Sequence, residues 1–450
     1  MVTLPRFVVA APATGQGKTT IATGLMAALR RAGHEVSGHK IGPDYIDPGY
    51  HALACGRPGR NLDPHLVGES TVAPLLLHGA QGADVAVIEG VMGLYDGRIG
   101  TRGFSSTAHV AALTRTPVVL VVDISRSSRS IGAVVHGMAT WDPTIEIAGV
   151  ILNQAGSPRH AAEVRDSISL PVLGVVPRDP DLATPSRHLG LVPAAERAEA
   201  AAVVDRLAER IAETIDLDAV LTLARSAPEL DVEPWSPTPL VEMRGAPAPS
   251  LETKAPRVSV AGGRAFTFRY AETAELLEAA GCEVVAFDPA TDTSLPAGTR
   301  GLYLGGGFPE VHAKALSDNV DLRDEIRTAV LDGLPTVAEC AGLLYLCQTL
   351  DGAPMAGVLD ADAVMTERLT LRYPEATAVS DSLLTRVGEV VTGHEFHRTT
   401  VTPGASATPA WTVEGDQVGF ASPTLHASYL HTHWAGHPQL ARRFAEAVRG

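Results

Sequence analysis

The sequence has few of the features that mark disulfide-rich or nucleic-acid-binding proteins. Its four cysteines in 450 residues include no C-x-x-C pair, which excludes a disulfide framework. The 51 acidic residues outnumber the 36 basic ones, and the formal net charge is −15. We therefore expect no nucleic-acid partner, because such a partner requires a basic face. A small anionic substrate needs only local positive charge and is not excluded.

Long apolar runs are also lacking. Hydrophobic residues make up 45% of the chain, but no run of about 18 apolar residues marks a membrane span. The first 20 residues have no basic segment before their short apolar run, so they indicate a first strand and no signal peptide. We therefore expect a cytoplasmic protein without a membrane partner.

Short β-branched runs alternate with helical stretches in two parts of the chain. Near-continuous apolar strands separated by helices predict a parallel sheet that is covered on both faces. This pattern extends from residue 7 to about residue 225 and begins again at residue 257. Seven prolines lie between Ser226 and Arg257, which is typical of a semi-rigid linker. The sequence therefore predicts an α/β protein with domains at residues 1–225 and 257–450 and a proline-rich linker at 226–256.

A glycine-rich turn joins the first predicted strand to an amphipathic helix. Backbone N–H groups of such a turn, together with the helix N-terminus, form an anion site. Pro12 stands where the first glycine of a G-x-x-x-x-G-K-[ST] loop belongs, but the rest of the pattern is present. Lys18 is then expected to reach the β- and γ-phosphates, and the Thr19 hydroxyl to bind Mg²⁺. The predicted ATP-binding residues are Thr14, Gly15, Gln16, Gly17, Lys18, Thr19 and Thr20.

A nucleotide site of this kind usually has an acidic residue at the end of another strand, where it organises Mg²⁺. The run VAVIEG supplies Glu89 at the carboxyl end of a strand, the edge at which ligands gather in open α/β sheets. An exposed strand-end glutamate is the alternative interpretation. Asn153 ends a later strand, where it either hydrogen-bonds the nucleotide base or serves as a turn residue.

In the second domain, Cys340 lies between an apolar strand and a helix-forming run. A cysteine at a helix N-terminus favours the thiolate, whereas a lone cysteine is more often a buried core residue. The segment GLYLGGGFPE offers backbone donors for an oxyanion. His431 and His433 are candidate bases. Residues two apart in a strand point to the same side, so the spacing leaves the choice between these histidines open.

Several segments resemble one known family. AECAGLLYL, GGGFPE, GHEFHRT and SYLHTHW resemble the class I glutamine amidotransferase domain in its cobalamin-biosynthesis form. APATGQGKTT, KIGPDYIDPGYH and VIEGVMGLYDG resemble ATP-dependent synthetases related to dethiobiotin synthetase. Joined in this order, the two halves resemble the cobalamin-biosynthesis glutamine amidotransferases that include the cobyrinate and hydrogenobyrinate a,c-diamide synthases. The resemblance covers nearly the whole chain, and it implies a doubly wound P-loop domain followed by a class I amidotransferase domain.

The resemblance implies a ligase with two sites. Glutamine is hydrolysed at Cys340 through a thioester and releases ammonia. At the other site ATP, with Mg²⁺, phosphorylates a carboxylate, and ammonia converts the product into an amide. In this family the amides form on the a and c acetate side chains of a corrin-type macrocycle. By position His431 is the base, and His433 stands where the orienting glutamate of class I amidotransferases lies.

The resemblance also assigns a role to the loop that follows the strand ending at Glu89. Its glycines allow the backbone to approach a ligand closely. Arg98 and Arg102 are expected to pair with substrate carboxylates, and Ser105 to hydrogen-bond others. Asp96 is expected to hold Mg²⁺ or to stabilise ammonia as it becomes cationic during attack.

By the same resemblance, the segment KIGPDYIDPGYH faces the acyl-phosphate site. Asp44 is expected to share Mg²⁺ with Thr19 and Glu89. Tyr45 is expected to stack on the macrocycle, and Asp47 to contact the substrate.

Three alternatives stay open at this point. The first is that the substrate is another tetrapyrrole, such as nickel-sirohydrochlorin. The second concerns whether the macrocycle carries cobalt when it is amidated. The third is that the chain is an ATP-driven switch protein of the partitioning type. A switch protein would lack the C-terminal Cys–His site. The expected small-molecule partners are ATP, glutamine and a corrinoid macrocycle, and a homodimer is compatible with the sequence.

Overall fold

The computed structural model describes residues 1–179, 197–238 and 255–450. The chain divides into two compact units. The first comprises Met1–Pro64 and Gly68–Trp235, and the second comprises His65–Val67 and Ser236–Gly450. Of the predicted linker, residues 239–254 lie outside the described residues. No helix in the described ranges is both long and apolar enough to cross a bilayer.

The first unit is built on a seven-stranded sheet in which all neighbouring strands are parallel. The strand order is β3-β2-β4-β1-β5-β6-β7. The strands are β1 (Arg6–Ala10), β2 (Val36–Ile41), β3 (Arg60–Leu62), β4 (Val85–Glu89), β5 (Val118–Asp123), β6 (Ile147–Ala155) and β7 (Val172–Pro177). The helices among the described residues up to Arg225 are α1 (Lys18–Arg31), α2 (Asp47–Cys55), α3 (Pro64–Val67), α4 (Glu69–Gly79), α5 (Thr107–Leu113), α6 (Ser130–Trp141), α7 (Pro158–Arg165), α8 (Arg197–Thr214) and α9 (Leu217–Arg225).

The core of this unit follows from the apolar strands. Every residue of β1, β2 and β4 is buried, as expected for a parallel sheet that is covered on both faces. Alternate residues of β1, Phe7 and Val9, share a core cluster with Ile21, Leu25 and Met26 of α1. A fully buried side chain of this size contributes about 1.5–3 kcal/mol. The predicted α/β fold with a doubly wound parallel sheet is confirmed.

The strand register brings polar residues to the carboxyl edge of the sheet. Glu89, the last residue of β4, is paired with Val9 of β1 on one side and with Lys40 of β2 on the other. Asp123, the last residue of β5, is paired with Asn153, two residues before the end of β6. This edge is where ligands bind in open parallel sheets.

The second unit contains two sheets. A six-stranded sheet has the order β19-β20-β11-β10-β8-β9, in which only β19 is antiparallel to its neighbour. Its strands are β8 (Arg257–Ala261), β9 (Glu283–Phe287), β10 (Thr299–Leu304), β11 (Thr336–Glu339), β19 (Phe420–Ala421) and β20 (Leu425–Ser428). The described helices of this unit after residue 255 are α10 (Ala271–Ala279), α11 (Ala313–Asp318), α12 (Val320–Leu331), α13 (Ala341–Leu346) and α14 (Pro438–Arg449).

The other sheet of this unit is largely antiparallel and has the order β13-β12-β14-β16-β15-β17-β18, with β21 paired to β16. Its strands are β12 (Thr349–Leu350), β13 (Ala353–Pro354), β14 (Asp362–Arg372), β15 (Glu375–Ala378), β16 (Val390–Thr402), β17 (Trp411–Val413), β18 (Asp416–Val418) and β21 (His431–Thr432). The pairing of β16 with β21 sets His394 opposite His431. Cys340 lies between β11 and α13, at the carboxyl end of a parallel strand.

Candidate active sites

The predicted phosphate loop connects β1 to α1. Gly15 and Gly17 have φ values of 83° and 89°, which glycine adopts without strain. A side chain at Gly17 would also collide with the amide of Asn153. Because α1 begins at Lys18, its N-terminus and the loop together provide backbone N–H groups for an anion. Residues 14–20, predicted to bind ATP, thus lie in one loop and the first turn of its helix.

Gln16 fixes this loop to the ends of two strands. Its backbone carbonyl accepts a hydrogen bond of 2.9 Å from Asn153 Nδ2, and its side-chain Oε1 accepts one of 2.8 Å from the Asp123 N–H. The Asn153 Oδ1 accepts a hydrogen bond of 2.9 Å from the N–H of Gln154. Both polar atoms of the Asn153 side chain are therefore engaged in structure, which favours the turn interpretation over contact with a base.

A buried cluster of charged groups lies beside the first turn of α1. Lys40 Nζ is 2.9 Å from Glu89 Oε1 and 2.7 Å from Asp47 Oδ2. The Thr19 hydroxyl donates to Glu89 Oε1 at 2.6 Å, and its Oγ1 is 3.4 Å from Asp47 Oδ2. His51 Nε2 lies 2.7 Å from Glu89 Oε2. Glu89 is thus the centre of the cluster, and it is fully buried rather than an exposed strand-end residue.

Burial and charge shift the pKa values in this cluster in different directions. Burial raises the pKa of Glu89, but Lys40 and the hydrogen bond from His51 hold it well below its usual range. Burial lowers the pKa of Lys40, but Glu89 and Asp47 raise it above its usual range. Burial and the Glu89 charge raise the pKa of Asp47 well above its usual value. At neutral pH Lys40 is therefore cationic and Glu89 is anionic. Of the two carboxylates that share Lys40, Asp47 is the one whose negative charge is less well compensated.

Lys40 and His51 were not identified from the sequence. Both occur in the segment HKIGPDYIDPGYH, which was singled out for its acidic residues. Lys40 is the penultimate residue of β2, which lies next to the strand that ends at Glu89. Lys40 could not be assigned to Glu89 from the sequence, because the order of strands in the sheet decides which strand ends lie side by side.

The structure separates the roles expected of Asp44 and Asp47. Asp44 Oδ1 accepts hydrogen bonds from the N–H groups of Ile46 at 2.8 Å and Asp47 at 3.3 Å, so it shapes the turn into α2. Asp47, not Asp44, reaches Thr19. Tyr45 is half-buried in the same turn.

Lys18 connects the phosphate loop to the loop that follows β4. Its Nζ donates to the carbonyl oxygen of Met92 at 2.5 Å and lies 3.4 Å from that of Ala13. Burial, followed by the charge of Lys40, lowers the pKa of Lys18 to about 8. Met92 has a positive φ of 48°, which is uncommon for a residue with a side chain.

The remaining predicted residues of that loop are mostly exposed. Asp96 accepts a hydrogen bond of 3.0 Å from the Gly93 N–H and so stabilises a tight turn. The side chains of Arg98 and Arg102 are exposed. Ser105 is buried, and its hydroxyl donates to Asp63 Oδ1 at 3.3 Å.

In the second unit, Cys340 has an unusual backbone conformation. Its φ of 49° and ψ of −98° lie outside the regions that residues with side chains prefer, and it precedes the first residue of α13. Neither Ala338 nor Ala341, which flank the Glu339–Cys340 pair, has a positive φ. A side chain at Gly342 would collide with the Leu304 carbonyl. The sequence AECAG is therefore compatible with a sharp strand-to-helix turn.

His431 is held between Cys340 and a carboxylate. Its Nδ1 lies 3.7 Å from Glu339 Oε2, an ion-pair distance that is too long for a hydrogen bond. Glu339 itself accepts hydrogen bonds from the Tyr303 hydroxyl at 2.8 Å and the Thr432 hydroxyl at 2.9 Å. Burial lowers the pKa of His431, but hydrogen bonding to Cys340 and the Glu339 carboxylate raise it to about 9. A base with a positioned carboxylate beside a cysteine suits nucleophilic catalysis.

His433 belongs to a different pair. Its ring stacks on Tyr270 with centroids 4.0 Å apart, and its Nε2 lies 3.7 Å from Glu272 Oε2. The sequence placed His433 where an orienting glutamate is usual, but the carboxylate beside His431 is that of Glu339. Sequence reasoning missed Glu339 because this residue precedes the nucleophile instead of following the base.

Two family models match the chain. Residues 7–192 match the CobQ/CobB/MinD/ParA nucleotide binding domain, and residues 257–439 match the CobB/CobQ-like glutamine amidotransferase domain. Together with the two sites, these matches define a glutamine amidotransferase that also has a nucleotide-binding domain.

Curated relatives narrow this class. The chain is 61% identical to a hydrogenobyrinate a,c-diamide synthase from Thermobifida fusca, over 99% of this chain and 97% of the relative. It is 54% identical to one from Streptomyces coelicolor, over 99% of this chain and 98% of the relative. A cobyrinate a,c-diamide synthase from Synechococcus is 40% identical, over 98% of both chains. The chain belongs to the a,c-diamide synthase family, so the resemblance expected from the sequence is confirmed.

The geometry predicts that Glu339 matters for glutamine hydrolysis and Glu272 does not. Glu339→Gln keeps the shape but removes the charge beside His431, and we expect glutaminase kcat to fall by up to about 100-fold. Glu272→Gln, the matched change beside His433, should leave kcat near wild type. Steady-state release of glutamate measures both. A larger loss in Glu272→Gln would transfer the role of base to His433.

Proposed function

We propose that this protein catalyses the ATP- and glutamine-dependent amidation of the a and c acetate carboxylates of a corrin-type macrocycle. The observation that carries the proposal is the presence, in one chain of this family, of a Cys340–His431–Glu339 group and a glycine-rich phosphate loop. A chain with only one of these sites would supply either ammonia or an activated carboxylate. Such a reaction draws on the ATP and glutamine of the cytoplasm, the location expected from the sequence.

In the glutaminase reaction, the Cys340 thiolate attacks the amide carbon of glutamine. A ring proton of the His431 imidazolium, on the nitrogen that faces away from Glu339, passes to the departing nitrogen, so ammonia leaves and a thioester remains. His431 then takes a proton from water, which attacks the thioester and releases glutamate and the thiolate. The N–H groups of Gly306 and Gly342 already donate to Phe268 and Gly305, so those of Gly307 and Ala341 stabilise the oxyanion.

In the synthetase reaction, a macrocycle carboxylate oxygen attacks the γ-phosphorus of ATP, and ADP leaves. Ammonia then attacks the acyl carbon of the acyl phosphate, phosphate leaves, and the nitrogen loses a proton to give the amide. Lys18 and the N–H groups of the phosphate loop hold the phosphates. Two such cycles amidate the a and c positions.

The side chains beside the phosphate loop fit a magnesium ion. Hydroxyl and carboxylate oxygens are the ligands that Mg²⁺ prefers, and protein sites usually supply only one or two carboxylates besides phosphate and water. Within the described ranges no group of three or more His, Cys, Asp or Glu side chains has metal-binding geometry. Thr19, Glu89 and Asp47 lie together beside the phosphate loop and would hold the ion with ATP, and the ion would offset phosphate charge when bound.

The exposed residues of the loop after β4 contact the macrocycle. Arg98 and Arg102 pair with its carboxylates, since an arginine fork suits a carboxylate. A side chain at Gly93 would meet both Asp96 Oδ2 and the carbonyl oxygen of Pro12, so Asp96 lies beside the start of the phosphate loop. There it stabilises the positive charge that develops on the attacking nitrogen. Half-buried Tyr45 completes the contacts with the macrocycle, whereas buried Ser105, which was expected to bind a carboxylate, holds the loop through its hydrogen bond to Asp63.

The proposal predicts that single substitutions can abolish glutamine hydrolysis and ATP-dependent amidation independently of each other. Cys340→Ser should abolish glutamine-dependent amidation because no thioester forms, while a high ammonium concentration still supports amide formation. Lys18→Ala should abolish amidation with either nitrogen donor but leave glutamate release measurable. Product formation with each donor, followed by mass spectrometry, measures this. Failure of ammonium to support a folded Cys340→Ser enzyme would contradict the division.

Asp47 and Asp44 should differ in their effect on magnesium. Asp47→Asn removes a carboxylate beside Thr19, and we expect the magnesium concentration for half-maximal activity to rise by roughly tenfold, which corresponds to about 1.4 kcal/mol. Asn at position 44 can still accept the backbone hydrogen bonds, so Asp44→Asn should change this concentration little. Both are measured with ammonium as donor, which bypasses Cys340. The reverse order would assign the ion to Asp44.

The relatives also favour one macrocycle over another. Those named hydrogenobyrinate a,c-diamide synthase are 61% and 54% identical to this chain, and a relative named for cobyrinate is 40% identical. We expect a higher kcat/KM for the cobalt-free than for the cobalt-containing macrocycle. Parallel assays with both, and with nickel-sirohydrochlorin, measure this preference. Equal or higher kcat/KM for either metal-containing substrate would contradict it.

A further inference from the structure

A second histidine lies directly on the ring of His431. The register of β16 and β21 sets His394 opposite His431, and their rings stack with centroids 4.8 Å apart and planes inclined by 13°. His394 is 2% exposed. The hydroxyl of Tyr270 lies 3.0 Å from His394 Nε2 and anchors this second ring. The glutaminase mechanism described above gives His394 no task.

The His431 ring is also restricted on its other sides. The edge of Phe268 meets it at 67° with centroids 5.1 Å apart. At Gly306 the backbone passes so close that an added side chain would meet the Cε1 atom of His431. Loss of the His394 ring would therefore open one wall of an otherwise filled space, and the His431 ring could rotate.

The two stacked rings differ in charge. Burial and the charge of His431 lower the pKa of His394 well below its usual value. The other titratable groups that act on His394 are His433 and His65, which shift it in the same direction. His394 Nδ1 has no hydrogen-bond partner among the described residues, so a doubly protonated ring would have an unsatisfied buried N–H. His394 is therefore neutral.

The charged groups around His431 act in the opposite direction. Cys340 and Glu339 act on this ring and favour its protonated form. A neutral aromatic ring stacked on a cation attracts it without adding a negative charge that would compete with the thiolate. The stack thus favours the ion pair that the nucleophile requires.

We infer that His394 is a positioning residue of the glutaminase site: its neutral ring, anchored by Tyr270, holds the plane of His431 and stabilises the cationic ring beside the Cys340 thiolate. The inference rests on the proposed pairing of Cys340 with His431.

The test compares His394→Ala with His394→Phe, which keeps a ring for stacking but has no nitrogen. We expect His394→Ala to lower glutaminase kcat by about 10- to 100-fold, because the base is misplaced, and His394→Phe to recover most of this loss. Tyr270→Phe, which frees the anchored ring, should fall between wild type and His394→Ala. Ammonium-dependent amidation is measured in the same preparations and should be unchanged in all three.

A second readout is the pH dependence of Cys340 alkylation by iodoacetamide. Without the His394 ring the His431 cation is less stable, so the thiolate forms at higher pH. The pH at which alkylation reaches half its maximal rate should therefore rise by about half a pH unit or more in His394→Ala. A wild-type kcat and midpoint in His394→Ala would overturn the inference. So would equal losses in the Ala and Phe variants, or a parallel loss of ammonium-dependent activity, which would indicate a folding role. A different result would contradict the proposed Cys340–His431 pair itself, namely a His431→Asn variant that retains glutaminase activity.

Discussion

The buried carboxylate of Glu89 is the interaction on which the first unit's site depends. It is taken out of water at the end of a central strand, so its charge must be compensated by protein groups. Lys40, His51 and Thr19 supply that compensation, and each belongs to a different element of the fold. One charge thereby fixes the relative positions of β2, α2 and α1, and with them the loop that precedes α1. Removing either partner of the Glu89–Lys40 pair would leave an uncompensated buried charge and destabilise the unit as well as the site.

The second unit uses backbone geometry in place of buried charge. Cys340 has a conformation with positive φ, which the strand before it and the helix after it maintain. Strain of this kind persists only when the surrounding packing determines the backbone more strongly than local preference does. Glu339 accepts hydrogen bonds from Tyr303 and Thr432, so the side chain of the residue before Cys340 is fixed in position as well. The two units thus fix their reactive groups by different physical means.

The sequence was informative wherever a functional group and its structural context are neighbours along the chain. The phosphate loop carries its own glycines and helix start, and Cys340 lies between a recognisable strand and helix, so both were identified, as was the α/β architecture. Groups that meet through sheet register were not identified. Lys40 joins Glu89 because β2 lies beside β4, and His394 joins His431 because β16 lies beside β21. Asp44 and Asp47 are only three residues apart, and what separates them is a turn in which one carboxylate bonds backbone N–H groups and the other points at Thr19. Sequence spacing contains no information of that kind.

The bond from Lys18 to the Met92 carbonyl has a consequence for the order of events at the nucleotide site. A phosphate group that draws Lys18 away must replace that bond, and the loop after β4 then loses one of its attachments at a residue with a strained backbone. The free energy of breaking the Lys18–Met92 bond therefore contributes both to the affinity for nucleotide and to the conformational equilibrium of the loop. Linkage is reciprocal. A ligand that draws the loop away from Lys18 therefore increases the affinity for nucleotide by a certain factor, and nucleotide increases the affinity for that ligand by the same factor. If Lys18 has the proposed phosphate-binding role, this one bond would couple the two ligands without any movement of the sheet.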